Sequence, residues 1–167
     1  RLRRSASRFD GRRMCSLRLG PCSHANHVRV GRRRLGGAEF LGQPLAHVFP
    51  HLATLDLPAL VTSDEVDWGS IDVAFCGLPH ATAHSEIAKL PERVKVIDMS
   101  ADFRLRDPAV YAEWYGGEHG APHLLKGAVY GLTEHYAQEI KTARLVACPG
   151  CYPTAVLLAL LPLTKAK

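Results

Sequence analysis

Leu145-Val146-Ala147-Cys148-Pro149-Gly150-Cys151-Tyr152-Pro153-Thr154-Ala155 starts as a short apolar run, breaks at Pro-Gly and continues into an apolar segment long enough for a helix. It reads as a strand over 144–148, a Pro-Gly turn, and a helix from Cys151 to about Leu161. Pro153 then falls in the first helical turn, where its missing N–H costs nothing. A strand that feeds directly into a helix is the repeating unit of a parallel α/β sheet. In such a sheet the loops leaving the carboxyl ends of the strands collect along one edge, where ligands bind.

The same alternation runs upstream. Ile71-Asp72-Val73-Ala74-Phe75-Cys76 is rich in β-branched and aromatic residues and is ended by Gly77-Leu78-Pro79, as expected of a buried strand. A helix fits 80–89, stopped by Pro91, and 94–98 is a second strand. Asp107-Pro108 supplies an N-cap followed by proline at the first helical position, so a helix should run to about Tyr115 and end at Gly116-Gly117. Another helix is expected over 134–142. By contrast, residues 43–60 contain Pro44, Pro50 and Pro58, which forbid a long helix. The fold class is therefore α/β, a Rossmann-like parallel sheet with flanking helices.

Three loops reach the ligand-binding edge, after residues 76, 98 and 148. In the third, Cys151 opens a helix, where the dipole and unpaired backbone N–H groups favour a thiolate and could stabilise an oxyanion. The alternative for Cys151 is simple packing, since cysteine is among the most buried residue types. Cys148 and Cys151 also form a Cys-x-x-Cys, the spacing of a dithiol redox pair, although such a pair normally follows the first strand of its domain. In the loop after residue 98, Arg104 could clamp a carboxylate or phosphate, or form an internal salt bridge with Asp98 or Asp102. Ser100 could hydrogen-bond a cofactor or substrate. His80 lies at the mouth of the first loop. The pairs His80/His84 and His47/His51 have i, i+4 spacing but no obvious third ligand, and Cys15, Cys22, His24 and His27 have no standard metal spacing, so no metal is expected.

Composition bounds the rest. The chain has 167 residues, 47% of them apolar, and a formal net charge of +5. Residues 1–34 hold 11 of the 21 Lys and Arg against one acid, Asp10, and the remainder is net acidic. A nucleic-acid reading would thus rest on the first fifth of the chain alone. The longest apolar run, nine residues from Ala155 to Leu163, is too short to span a bilayer and contains Pro162. Five cysteines without a secretory signal point to a reducing compartment, cytoplasmic by default. The basic segment allows three readings: an organellar transit peptide, which would place the protein in a plastid or other organelle; a nucleic-acid-binding arm; or foreign, frame-shifted sequence.

The segment around Cys151 closely resembles the active-site signature of the N-acetyl-gamma-glutamyl-phosphate reductase family. Val96-Ile97-Asp98-Met99-Ser100-Ala101-Asp102-Phe103-Arg104-Leu105, Trp114-Tyr115-Gly116, Ala128-Val129-Tyr130-Gly131-Leu132 and Gly77-Leu78-Pro79-His80 resemble that family in the same order. The resemblance implies NADPH-dependent reduction of N-acetyl-gamma-glutamyl phosphate to N-acetyl-L-glutamate 5-semialdehyde and phosphate through a cysteine thioester, in arginine biosynthesis. It makes Cys151 the nucleophile, with Tyr152 and Thr154 as pocket neighbours. Gly77, Pro79, His80 and Ser100 would lie along the NADP edge, and Arg104 would be a substrate or structural anchor. It also implies a homo-oligomer at full length, with no membrane and no nucleic acid among its partners.

Two departures stand out. The family usually has Asn in place of Cys148. It also has a first nucleotide-binding strand, Gly-rich turn and helix, which Gly31-Arg32-Arg33-Arg34-Leu35-Gly36-Gly37 does not reproduce, and most of the substrate and dimerisation domain falls beyond Lys167. The expected organisation is a basic, unmatched and disordered segment over 1–41, a partial NADP-binding domain over 42–150, and the start of the catalytic domain over 151–167. On that expectation the isolated chain is inactive. The rival functions are a thiol-disulfide oxidoreductase using Cys148 and Cys151, and a basic-arm nucleic-acid binder.

Overall fold

The computed structural model describes residues 13–17, 27–31, 43–44, 47, 50–54 and 61–166, the first two stretches as backbone only. Its strands are β1 (Arg13–Leu17), β2 (His27–Gly31), β3 (Val73–Gly77), β4 (Lys95–Asp98), β5 (Ala128–Tyr130) and β6 (Leu145–Ala147). Its helices are α1 (Ala83–Ile87), α2 (Pro108–Tyr115), α3 (Pro122–Leu125), α4 (Thr133–Thr142) and α5 (Cys151–Lys165). The strands form one sheet in the order β2-β1-β3-β4-β6-β5. β3, β4, β6 and β5 are parallel, as the strand-helix alternation requires.

β1 runs antiparallel to both β2 and β3. This corrects the expectation that residues 1–34 hold no packed structure. An edge strand at β3 would leave a row of unpaired backbone groups, and β1 occupies that edge. Val28 and Val30 alternate with His27 and Arg29, a period-two signal that the basic composition hides. Of the glycines in residues 31–42, Gly31 ends β2, and those at 36, 37 and 42 lie outside the described residues.

The parallel strands bury alternate residues: Ala74 and Cys76 on β3, Val96 and Asp98 on β4, Leu145 and Ala147 on β6. Ile71, Ile87, Val94 and Leu125 pack with them into one core. Elsewhere the elements differ from expectation for local reasons. The helix expected over 80–89 shortens to α1 because Ala81 takes a left-handed backbone, φ 60, which interrupts helical geometry. α2 matches its expected span, with the Asp107 carboxylate accepting from the Ala109 N–H and Gly116 closing the helix at φ 71. α5 continues through Pro162 to Lys165 rather than stopping near Leu161. The helix gives up one hydrogen bond there and resumes with the Ala166 N–H donating to the Pro162 carbonyl. No residue of α5 is buried, and Tyr152, Val156, Leu160 and Leu163 form an exposed apolar stripe.

Candidate active site

The carboxyl ends of β3, β4 and β6 lie side by side, and hydrogen bonds extend the sheet past its formal ends. The Met99 N–H donates to the Cys76 carbonyl at 2.8 Å, and the Cys148 N–H donates to the Asp98 carbonyl at 2.7 Å. The three loops singled out in the sequence are therefore brought to one edge.

Residues 148–150 carry neither turn nor bend, and Gly150 is extended at φ −69, ψ 157. The expected Pro-Gly turn is thus a straight link that delivers the chain into α5. Cys148 is half-buried and Cys151 exposed, and both are free. Burial, aided by the Asp98 carboxylate, pushes the Cys148 thiol up, away from reactivity.

Cys151 stands at the first position of α5, with Gly150 as N-cap. The Thr154 N–H makes the first helical bond, donating to the Gly150 carbonyl at 3.0 Å. Pro153 has no N–H, so the donors left pointing out of the helix start belong to Cys151 and Tyr152. Tyr152 is 84% exposed. Thr154 donates its hydroxyl to the Gly150 carbonyl at 2.9 Å, which stabilises the helix start.

Arg104 reaches this link from the β4 loop. Its Nε donates to the Cys148 carbonyl at 2.9 Å and its Nη2 to the Met99 carbonyl at 3.4 Å. A Cβ at Gly150 would lie 3.3 Å from Arg104 Nη1, so the guanidinium packs over the residue preceding Cys151. Arg104 thus ties the β4 loop to the backbone just before Cys151. Ser100 is placed differently from expectation. It is buried, donates its hydroxyl to Asp98 Oδ2 at 2.7 Å and accepts from the Asp102 N–H at 3.1 Å. Its polar capacity is spent inside the loop and not on the open edge.

Gly77 is buried at the end of β3, whereas Pro79 and His80 are exposed. His80 and His84 do not share a face, because Ala81 breaks the helix between them and His84 is buried. Among the described residues no cluster of three or more His, Cys, Asp or Glu is arranged to hold a metal.

Sequence reasoning missed what lies beneath. Asp98 and Asp102 are fully buried. Burial raises the Asp98 carboxyl from 3.8 to about 6, against the opposing hydrogen bonds from Ser100. Asp102 Oδ1 accepts from the Ala81 N–H at 2.7 Å and from the Tyr111 hydroxyl at 2.8 Å, while Oδ2 accepts from the His84 N–H at 3.0 Å. The Ala121 N–H donates to His119 Nδ1, so Nε2 carries the proton and donates to the Asp102 carbonyl at 2.9 Å. Burial and then the nearby His84 lower the His119 pKa, favouring this neutral form. Only the position of Asp102 in a polar loop at a strand end hinted at such a network.

A nicotinamide dinucleotide and an acyl phosphate are both anionic. Along residues 78–81, 100–104 and 149–151 no carboxylate is exposed, because the one acid there, Asp102, is buried and fully bonded. The edge shows the His80 imidazole, the partly exposed Arg104 and the Cys151 thiol. Nothing exposed along these described loops opposes an anionic cofactor or substrate.

Residues 24–143 match the family described as semialdehyde dehydrogenase, NAD binding domain. The chain belongs to that family. Among curated relatives, a probable N-acetyl-gamma-glutamyl-phosphate reductase, chloroplastic, from Oryza sativa subsp. japonica is 51% identical over 143 residues, covering 86% of this chain and 34% of the relative. An N-acetyl-gamma-glutamyl-phosphate reductase from Rhodospirillum rubrum is 52% identical, covering 85% of this chain and 42% of its own length. One from Jannaschia sp. is 49% identical over 160 residues, covering 96% of this chain and 45% of its own. The chain thus spans between a third and a half of the length of these relatives. The family match from residue 24, and an alignment over 96% of the chain, also correct the expectation that residues 1–41 stand outside the match.

Proposed function

We propose that the protein reduces N-acetyl-gamma-glutamyl phosphate to N-acetyl-L-glutamate 5-semialdehyde and phosphate, in arginine biosynthesis. The observation that carries this reading is the exposed Cys151 at the start of α5, beside an edge that presents cationic and neutral groups and no carboxylate. The names of the relatives support the substrate.

Cys151 Sγ attacks the acyl carbonyl, and the N–H groups of Cys151 and Tyr152 receive the developing oxyanion. Collapse of the tetrahedral adduct breaks the carbon–oxygen bond to phosphate and leaves a thioester on Cys151. When bound, NADPH supplies the hydride that takes this thioester to the aldehyde oxidation level. Arg104 keeps the link before Cys151 in register through the Cys148 carbonyl. Gly77, Pro79 and His80 form the nicotinamide side of the edge, and Ser100 supports it from within. Tyr152 and Thr154 flank the nucleophile, Tyr152 as the side chain open to substrate.

The active form is a homo-oligomer acting on a small molecule, without membrane or nucleic-acid partners. No helix among the described residues is long and apolar enough to cross a membrane. The compartment is the cytoplasm, and the chloroplastic name of the Oryza relative favours a plastid as the second reading. NADPH oxidation with the acyl phosphate tests the proposal in the protein that carries this chain. Cys151→Ser should abolish turnover and Cys148→Ser should retain it. Equal loss in both variants would favour dithiol chemistry instead.

A further inference from the structure

We propose that Asp102 is a positioning residue for the nicotinamide cofactor, a single buried carboxylate that fixes the 79–81 loop from its backbone and from its aromatic flank at once. The inference rests on the cofactor edge assigned above. Ala81 is the only non-glycine among the described residues with a left-handed backbone, at φ 60. Such a conformation persists when its surroundings over-determine it. Asp102 does so by accepting from the Ala81 N–H at 2.7 Å.

The second attachment is at the start of α1. Thr82, the N-cap residue, makes no capping bond of its own, since its hydroxyl donates to the Pro79 carbonyl. The N–H of His84 donates instead to Asp102 Oδ2, so the cap comes from a different loop. The third attachment is aromatic. The Tyr111 hydroxyl donates to Asp102 Oδ1, Tyr111 stacks on Tyr115 with ring centres 4.9 Å apart, and Tyr115 lies 5.9 Å from the exposed His80 ring. The carboxylate therefore sets both the backbone that carries His80 and the wall against which His80 rests. It touches neither Cys151 nor the link before it, which Arg104 holds separately.

Asp102→Asn keeps the shape but turns one acceptor into a donor facing a donor. Loss of one or two charge-assisted bonds should weaken NADPH binding roughly tenfold or more. Three measurements on the protein carrying this chain test the inference: NADPH affinity by fluorescence titration, the alkylation rate of Cys151 by iodoacetamide, and amide hydrogen exchange at Ala81 and His84 without cofactor. Asp102→Asn should show faster exchange at both amides, weaker NADPH binding, and a Cys151 alkylation rate within twofold of the unaltered protein.

Unchanged NADPH affinity in a folded Asp102→Asn, or an equal loss of Cys151 reactivity, overturns the inference. If that variant does not fold, Tyr111→Phe decides, because it removes a single bond. It should weaken NADPH binding a few-fold, and no change there refutes the positioning role. Failure of the unaltered protein to bind NADPH refutes the cofactor reading itself, a result distinct from equal binding by both proteins.

Discussion

Asp98 should make the fold more stable in mild acid than in mild base. It sits fully buried at the end of β4, with Asp102 disfavouring its charge and Arg104 favouring it, while the neighbouring thiols of Cys76 and Cys148 are held protonated by burial and by Asp98 itself. Burial is the dominant influence and raises its pKa from 3.8 to about 6. The folded state therefore binds this proton more tightly than the unfolded state, so stability from Asp98 is present at low pH and is lost as pH rises through about 6. A shift of this size amounts to about 3 kcal/mol over the full titration, of which about 1.4 kcal/mol separates pH 5 from pH 8.

Other groups titrate in the same range, so the comparison is with Asp98→Asn, which removes this proton alone. The variant also loses an acceptor for Ser100, whose N–H and hydroxyl donate to the two carboxylate oxygens, a penalty that does not vary with pH. Urea unfolding of both proteins at pH 5 and pH 8 gives the difference. The unaltered protein should gain about 1.4 kcal/mol on Asp98→Asn in going from pH 8 to pH 5. A flat difference, or one that grows with pH, would refute the view that burial outweighs the Ser100 hydrogen bonds.

Gly120→Ala should destabilise by about 1–3 kcal/mol in urea unfolding, because the new Cβ would lie 2.6 Å from Nδ1 of the buried His84. A neutral substitution would mean that His84 can move aside. Arg104→Lys should not restore what Arg104→Ala loses, since one ammonium cannot reproduce the two carbonyl contacts at Cys148 and Met99. Both variants should slow acylation of Cys151 by substrate, read by quenched-flow phosphate release, and a normal rate in Arg104→Ala would remove its anchoring role.

The parallel half of the sheet was legible because its strands end on turn or cap residues. Gly77 closes β3 and Asp107-Pro108 opens α2 at the expected residue. Cys151 was legible for the same reason: it opens a helix directly after a strand. What escaped was set by tertiary contact. The Ala81 conformation that shortens α1 depends on a carboxylate 21 residues away in sequence, and no local propensity reports such a partner. The three-residue strand β5 is too short to show a period, although Ala128-Val129-Tyr130 was noticed as a motif. β1 and β2 were obscured by arginines, whose charge argued against packing while Val28 and Val30 alternated beneath it. Ser100 was read as a ligand contact from its polarity and position, and its hydroxyl proved to be occupied by Asp98 and Asp102.

The central claim is that Cys151 is acylated by the substrate. Incubating the protein that carries this chain with N-acetyl-gamma-glutamyl phosphate in the absence of NADPH, then quenching in acid and mapping peptides by mass spectrometry, tests it directly. The account predicts one N-acetylglutamyl group on Cys151, in step with phosphate release, and none in Cys151→Ser. Acylation of Cys148, or phosphate release with no acyl group on the protein, would contradict it.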